Sequence, residues 1–532
     1  MNTQTNQINL KLGTRRSLLA TAQSQWVARE IERLNPGVKV ELVGIDTRGD
    51  KVLDVPLSSI EGKEFFVAEL DDALRSQRVD FTVHSMKDLS LDRPKEFVLG
   101  AIPKREQPHD VLVYRPGLDK DLADGKISTV LIGTSSPRRL ENLPAFLQEA
   151  IPYVKQNSVK LDLSSIRGNV NTRLSKLHET GEKRLDGVVL ALAGLNRLCL
   201  DKGGAAEPIR KLMEGTRVMV IPLSESPTAP AQGALAIECL AQNESVREAL
   251  SRLHDLTTEE NVAAERSILA EWGGGCHQKL GATQFIHSEL GEMMFIKGRT
   301  PEGKKVDSLD WVHPMKRAHA ITVKAWNGFA NRTEAKSVWL GLNSKELPAK
   351  QAIFVAHSRA VLGLEKDHSI AQKLCDSRIW TAGVDSWAKL AEKGVWVEGC
   401  AEGMGLSFIA PLLRSSLLQL SELSWSVLTH AKAAETIDSD FDSLPGKTKK
   451  IGTYRLDSES TIVVDEALKA AVSSATHVYW SSLAQARRLQ SLVSSETVQC
   501  CGPGKTAVGL RQMGVSPVVF PTAKVWEEWI KE

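Results

Sequence analysis

TVLIGTSSPRR, running from Thr129 to Arg139, passes from four β-branched or aliphatic residues through a turn of small residues into a proline and two arginines. Ser136 stands where a helix N-cap belongs, and Pro137 takes the first helical position, where its missing N–H has no intrahelical partner to lose. A strand feeding a helix through a tight turn is the repeating unit of α/β layers. The same cycle recurs on both sides. Upstream, Leu10 to Leu12 reads as a strand, Ser17 as an N-cap, and Leu19, Ala22, Trp26, Ile31 and Leu34 as the apolar stripe of a helix that Asn35, Pro36 and Gly37 end. Val38, Val40 and Leu42 then alternate with Lys39 and Glu41 as in a half-buried strand. Downstream, Leu163 leads through Arg167 and Gly168 into a helix over 170–177, and Gly187 to Ala191 supplies another strand.

The 532 residues suffice for about three to five domains. With 42% hydrophobic and 25% charged residues, the composition excludes a largely disordered or fibrous chain. A net charge of +2 gives no global field for nucleic acid or membrane, so anion recognition must come from a local cluster of cations. Neither a secretory leader nor an apolar run long enough to span a bilayer is legible. The seven cysteines are scattered without a C-x-x-C pair, which argues for free thiols and against a zinc ribbon. A cytoplasmic, monomeric protein without metal, acting on a small molecule, is expected.

Six arginines share one context. Arg138 and Arg139 fall in the first turn of a helix, where the macrodipole disfavours cations by roughly 0.3–1 kcal/mol, so an anion must compensate them. Arg15, Arg167, Arg173 and Arg197 also lie at or near strand-to-helix junctions, where open α/β sheets bind ligands. Any one alone is equally an ordinary surface ion pair; the recurrence favours a ligand. His84-Ser85-Met86-Lys87-Asp88 closes the apolar strand Phe81 to Val83 with a cation and a carboxylate, either a catalytic pair or a satisfied polar turn. Cys276 follows Gly273, Gly274 and Gly275, a permissive backbone, and its neighbours His277 and Lys279 would favour the reactive thiolate. The alternative is a small core cysteine.

Together these residues resemble the hydroxymethylbilane synthase (porphobilinogen deaminase) family. The resemblance rests on Gly13-Thr14-Arg15-Arg16-Ser17, Thr47-Arg48-Gly49-Asp50, Phe66-Val67-Ala68-Glu69-Leu70, the 84–88 segment, Gly133 to Arg139, Arg167-Gly168-Asn169-Val170, Gln232-Gly233-Ala234 and Gly274-Gly275-Cys276, in family order. It implies an enzyme that joins four porphobilinogen units head to tail, with loss of ammonia, into hydroxymethylbilane. It further implies a dipyrromethane cofactor joined by a thioether to Cys276 and assisted by Asp88 and Lys87. Ser135, Arg138, Arg139, Arg167 and Gly168 would hold that cofactor; Arg15, Ser17, Gln23, Arg173 and Arg197 would hold substrate, with Lys63 and Phe66 on a mobile loop. An oligopyrrole carries two carboxylates per ring, and arginine grips a carboxylate through two parallel N–H bonds. Three positions depart from the family: Leu18 replaces a proline, and Glu64 and Ala231 replace glycines.

The resemblance implies two periplasmic-binding-protein-like α/β lobes, residues 8–104 with 218–240 and residues 105–217. A small α+β domain at 241–313 would carry the cysteine. Residues 314–349 are polar and read as a linker, and 350–532 as a C-terminal α/β region of two similar domains, with strands near 352–356, 425–428 and 476–480. That region looks like uroporphyrinogen-III synthase through Tyr479-Trp480-Ser481-Ser482, Gly502-Pro503-Gly504-Lys505-Thr506-Ala507, Trp380-Thr381-Ala382-Gly383 and Val397-Glu398-Gly399-Cys400. The implied second activity closes the linear tetrapyrrole to uroporphyrinogen III, with Tyr454, Ser481 and Thr506 as candidates. The alternatives are a non-catalytic C-terminal domain and, for the whole chain, a two-lobed anion-binding protein.

Overall fold

The computed structural model describes residues 8–47, 67–181, 184–274, 278–311, 323–329, 337–348, 351–361, 363, 368–435, 439–456 and 465–531. Two compact units emerge: Met1–Gln284 with Met294–Ser308 and Ser415–Leu418, and Phe285–Met293 with Leu309–Arg414 and Gln419–Glu532.

The first unit holds two five-stranded mixed sheets. In one, the strands run in the order Val38–Ile45, Ile8–Arg15, Phe81–Ser85, Leu235–Leu240, Phe97–Ala101. The first three are parallel, and Leu235–Leu240 runs antiparallel to both its neighbours. The other sheet has the order Lys160–Ser164, Thr129–Gly133, Gly187–Ala191, Asp110–Tyr114, Arg217–Val220. Again three parallel strands are followed by an antiparallel pair. The chain crosses between the sheets twice, over residues 102–109 and 221–234, and both crossings carry residues of the candidate site.

The Leu18–Leu34 helix starts where Ser17 accepts a bond from the Ala20 amide, as an N-cap does, and ends at Asn35 ahead of Gly37, whose φ is +95°. Its buried face is Ala22, Gln23, Ser24, Val27, Ala28 and Ile31, while Trp26 and Leu34 are half-buried at its margin. The face is thus turned slightly from the expected stripe, with Ser24 buried against the sheet through a bond from its hydroxyl to Thr14 Oγ1 at 2.8 Å. Ser136 and Pro137 begin the Pro137–Ala150 helix as expected, although the Ser136 side chain makes no capping bond.

A three-stranded sheet, Lys279–His287, Gly291–Arg299 and Lys305–Trp311, follows the Glu244–Ser251 and Leu256–Glu271 helices. The second unit contains a six-stranded sheet in the order Ser337–Trp339, Thr448–Leu456, Trp425–His430, Ala352–Val355, Arg378–Thr381, Gly399–Cys400. It is parallel except at Ser337–Trp339. A four-stranded parallel sheet has the order Ala325–Asn327, His477–Trp480, Val498–Cys501, Val518–Val519.

Two of these strands correct the linker expected at 314–349. Ala325–Asn327 pairs with His477–Trp480, and Ser337–Trp339 pairs with Thr448–Leu456. Three-residue strands are too short to show a period, so their polar surroundings dominated the reading. Among the described residues no helix is long and apolar enough to cross a membrane. Among the described residues, Cys199, Cys239, Cys500 and Cys501 are free thiols.

Leu18 is the first residue of its helix, and Ser17 before it is extended, with φ −67° and ψ 147°. Both are the conditions a proline requires. Leu18→Pro should therefore change stability by no more than about 0.5 kcal/mol in urea denaturation, whereas Ala22→Pro, inside the helix, should cost about 3 kcal/mol or more.

Candidate active site

Asp110 opens the fully buried strand Asp110–Tyr114. Its carboxylate accepts from Arg138 Nη2 at 2.6 Å, from Arg139 Nη2 and Nε at 2.7 and 3.1 Å, and from Gln232 Nε2 at 2.8 Å. Burial alone would raise its pKa, but the two guanidinium charges and these bonds outweigh that and hold it well below the usual carboxylate range. Asp110 is the anion that the first-turn arginines required. It was missed in the sequence, where the signal was an aspartate heading an otherwise apolar strand.

Arg138 is 2% exposed; its Nη1 donates to Ser226 Oγ and the Pro227 carbonyl at 3.1 and 2.9 Å, while its buried Nε meets no hydrogen-bond acceptor among the described residues. Arg139 also donates to the Val189 carbonyl at 2.9 Å. Gln232 continues the network, donating to the Pro108 carbonyl at 2.6 Å while its own Oε1 accepts from Lys87 Nζ at 3.3 Å. Lys87 is half-buried, and burial lowers its pKa; Asp88 and Asp110 oppose the shift, Arg139 and Arg138 add to it.

Asp88 is exposed beside Lys87, on the Met86–Asp88 turn. Arg266 clamps this turn, donating from Nη1 to the Met86 and Leu89 carbonyls at 3.2 and 3.1 Å and from Nη2 to the Ser90 carbonyl at 2.8 Å. Arg266 belongs to the Leu256–Glu271 helix. That helix runs into Gly273 and Gly274, both left-handed at φ +87° and +69°. Cys276, with Gly275 and His277, lies outside the described residues. The flanks of that segment are joined by a bond from Gln278 Nε2 to the Gly274 carbonyl at 3.2 Å. Lys279 pairs with Glu141 at 3.6 Å.

Arg173 lies in the Val170–Ser175 helix and donates from Nε to the Gly168 carbonyl at 2.8 Å. Gly168 has φ +99°, and a Cβ there would meet Thr172 at 2.8 Å, so the bend leading into the helix requires glycine. Burial, then the charges of Arg139 and Arg167, push the Arg173 pKa down to about 10, with Asp88 opposing. Lys87 thus feels Arg138, Arg139, Asp88 and Asp110, and Arg173 feels Arg139, Arg167 and Asp88, so Arg139 and Asp88 are common to both groups.

Ser135 is half-buried in the turn before the Pro137–Ala150 helix. Ser17 caps its helix, Gln23 meets the Ser85 hydroxyl at 3.3 Å, and the Arg15 charge acts on buried His84. Arg197 is placed differently: it donates to the Gly233 carbonyl at 2.6 Å, and its carboxylate neighbour is Glu106, not Asp88. Lys63, Glu64 and Phe66 lie outside the described residues.

A second buried carboxylate braces the crossings. Glu265, fully buried, receives both terminal nitrogens of Arg105 at 2.6 and 3.0 Å and the Ala231 and Gln284 amides at 2.6 and 2.7 Å. Ala231 has φ +64°, a left-handed backbone that costs on the order of 1–2 kcal/mol for any residue but glycine. This explains why a glycine is usual there.

In the second unit, Tyr454 is buried in the six-stranded sheet, with its ring 5.3 Å from His430 and 6.4 Å from His357. Burial raises its pKa, and Arg359 opposes the shift. Ser481 follows a strand of the four-stranded sheet and bonds Gln485 Oε1 at 3.0 Å, while Thr506 is half-buried at the start of the Lys505–Gln512 helix. The three candidates thus divide between two sheets. Among the described residues no cluster of His, Cys, Asp and Glu could hold a metal ion.

Residues 10–248 match the family described as porphobilinogen deaminase, dipyromethane cofactor binding domain. The chain is 40% identical over 313 residues to the porphobilinogen deaminase of Syntrophotalea carbinolica, covering 59% of this chain and 89% of that one. It is 38% identical over 297 residues to the Brevibacillus brevis porphobilinogen deaminase, covering 56% and 86%. A uroporphyrinogen-III synthetase structure from Helicobacter pylori overlays 39% of this chain and 97% of its own at 14% identity, but its TM-score of 0.26 is too low to bear on the fold.

Removing the Asp110 charge would leave two buried arginines uncompensated, so Asp110→Asn should cost about 3–5 kcal/mol in urea denaturation. Because the folded-state pKa lies below the unfolded value of about 3.9, this stabilisation is complete above that pH and is lost as the pH falls below it. The acid limb of stability against pH should be shallower in the variant.

Proposed function

The chain belongs to the porphobilinogen deaminase family, and on that premise we propose that it joins four porphobilinogen units head to tail into hydroxymethylbilane, releasing ammonia. Dipyrromethane is the cofactor of the matched domain, and its attachment point in this reading is Cys276. The observation that carries the proposal is the cluster of five cations facing two carboxylates, one of which, Asp110, is already saturated by two of them. Burying charge without compensation costs several kcal/mol per ion. The half-buried excess therefore suits a ligand rich in carboxylates, as an oligopyrrole is, and the cofactor passes the same test.

When bound, dipyrromethane supplies the nucleophilic pyrrole carbon from which the chain grows. Arg139, Arg167 and Arg173, with Ser135 and the Gly168 backbone, would hold its acid side chains. Arg138, almost wholly engaged inside the protein, would set the position of Arg139 by sharing Asp110 with it. Asp88, exposed on a turn that Arg266 fixes, would stabilise positive charge developing on pyrrole nitrogens and accept the proton released at each coupling. Lys87, held by Gln232, would neutralise a neighbouring carboxylate. Arg15, Ser17 and Gln23 would contact the incoming substrate.

For the second unit we propose cyclisation of the linear product to uroporphyrinogen III. The support is a buried tyrosine flanked by two histidines near the carboxyl ends of parallel strands, where α/β sheets bind ligands. Holding both activities on one chain raises the effective concentration of an unstable intermediate at the second site.

Intact-mass measurement of the purified protein should show one dipyrromethane above the polypeptide mass; an unmodified active protein would overturn the assignment. Asp88→Asn should lower porphobilinogen consumption by about a hundredfold or more while leaving the urea midpoint unchanged, since the side chain is exposed. The full chain should yield mainly the type III isomer, and Tyr454→Phe should raise the type I fraction.

A further inference from the structure

Three adjacent parallel strands of the second unit, Ala352–Val355, Trp425–His430 and Thr448–Leu456, finish side by side. His357 lies just beyond the first, His430 ends the second, and Tyr454 stands near the end of the third. The ladder between the last two is interrupted at this point. Thr429 pairs with Gly452 but His430 pairs with Tyr454, which makes Thr453 an extra residue in the register. Bulges are rare between parallel strands, and beside active sites they re-aim a side chain. The side chain that follows this one is Tyr454.

The bulge is held on several sides. The fully buried Thr453 hydroxyl donates to the Ala360 carbonyl at 2.8 Å, on the turn that follows His357. The Leu340 amide donates to the Thr453 carbonyl at 2.9 Å. Gly452 leaves no room for a side chain, since a Cβ there would stand 2.7 Å from Ala431 Cα, at the start of the short helix after His430. The Tyr454 ring meets the His430 ring edge to face, at 5.3 Å and 88°, and lies 6.4 Å from the His357 ring at 43°. Both imidazoles are oriented in turn, because the Lys432 amide donates to His430 Nδ1 at 3.2 Å and the Arg359 amide to His357 Nδ1 at 3.0 Å. No hydrogen bond from the Tyr454 hydroxyl to a described residue competes with this packing, so the backbone and the neighbouring rings set where the phenol points.

We propose that Thr453 and His430 are positioning residues for Tyr454, the bulge aiming the phenol and the imidazole holding the plane of its ring, and that this aim decides how much linear product closes as the type III isomer. The role of Tyr454 rests on the cyclisation proposed above; the bulge and its bonds do not. A displacement of about 1 Å at a reacting group can cost on the order of a hundredfold in rate. Linear product that is not closed at the site in time leaves it and closes spontaneously to the type I isomer, so the isomer ratio reads the position of the phenol.

The test supplies the full-length holoenzyme with porphobilinogen and separates the product isomers by chromatography. Thr453→Val removes the hydroxyl at nearly constant volume and should raise the ratio of type I to type III by about tenfold or more, whereas Thr453→Ser, which keeps the bond, should stay within about twofold of wild type. His430→Phe should retain type III, because a phenyl edge replaces the imidazole edge, and His430→Leu should lose it. Porphobilinogen consumption should be the same in every variant. Ultraviolet titration of the phenol, taken as the difference from Tyr454→Phe, gives a reading apart from turnover. The pKa that burial raises should return toward the ordinary tyrosine value in Thr453→Val and stay raised in Thr453→Ser. Type III retained by folded Thr453→Val would overturn the proposal, as would equal losses in His430→Phe and His430→Leu; if circular dichroism shows that Thr453→Val does not fold, the His430 pair decides. Wild type that yields mainly type I would remove the cyclisation reading instead.

Discussion

The carboxylate of Asp110 is the constraint on which the candidate site depends. It is a fully buried charge at the start of a strand, and it is tolerable only because two guanidinium groups and an amide saturate it. In turn it fixes two arginines at the first turn of a helix, where the backbone dipole would otherwise disfavour them. One buried anion thus makes an otherwise unfavourable placement tenable and fixes both guanidinium groups in position. The arrangement costs the protein little further reorganisation when an acidic ligand arrives.

The same economy extends through the crossings between the two sheets. Gln232 relays the Asp110 network to Lys87, and Arg105 joins the carbonyl of Gln232 to Glu265. The helix that carries Glu265 also carries Arg266, whose three bonds hold the turn bearing Lys87 and Asp88. The site is therefore assembled from segments far apart in the chain, joined at each crossing by hydrogen bonds between buried polar groups. Arg105, Glu265 and Arg266 touch no proposed ligand. Their contribution is geometric, because they determine where Asp88 and Lys87 stand relative to the helix that leads toward Cys276.

The second unit is built on a different principle. Its sheets are almost wholly parallel and its interior is rich in aromatic side chains, among them Trp380, Trp387, Trp425, Trp480 and Trp526, all essentially inaccessible. Short strands at 325–327 and 337–339 extend both sheets, so residues expected to be a tether are part of the folded unit. Polar candidates there are few and dispersed. Tyr454 stands on one sheet and Ser481 and Thr506 on the other, and Tyr454 alone has titratable rings around it.

What the sequence determined by itself was local or repeated. Strand-to-helix cycles, the N-cap at Ser17, proline at position 137 and the family motifs were legible because each depends on neighbours a few residues away. So were most of the cations, since their recurrence at strand ends is a one-dimensional pattern. Tertiary structure alone decided which charges face one another. Asp110 and Arg138 are 28 residues apart, Lys87 and Gln232 are 145 apart, and Arg197 turned out to face Glu106 instead of Asp88. Coulomb energy and desolvation depend on distance and burial in space, and neither is encoded by residue spacing along the chain.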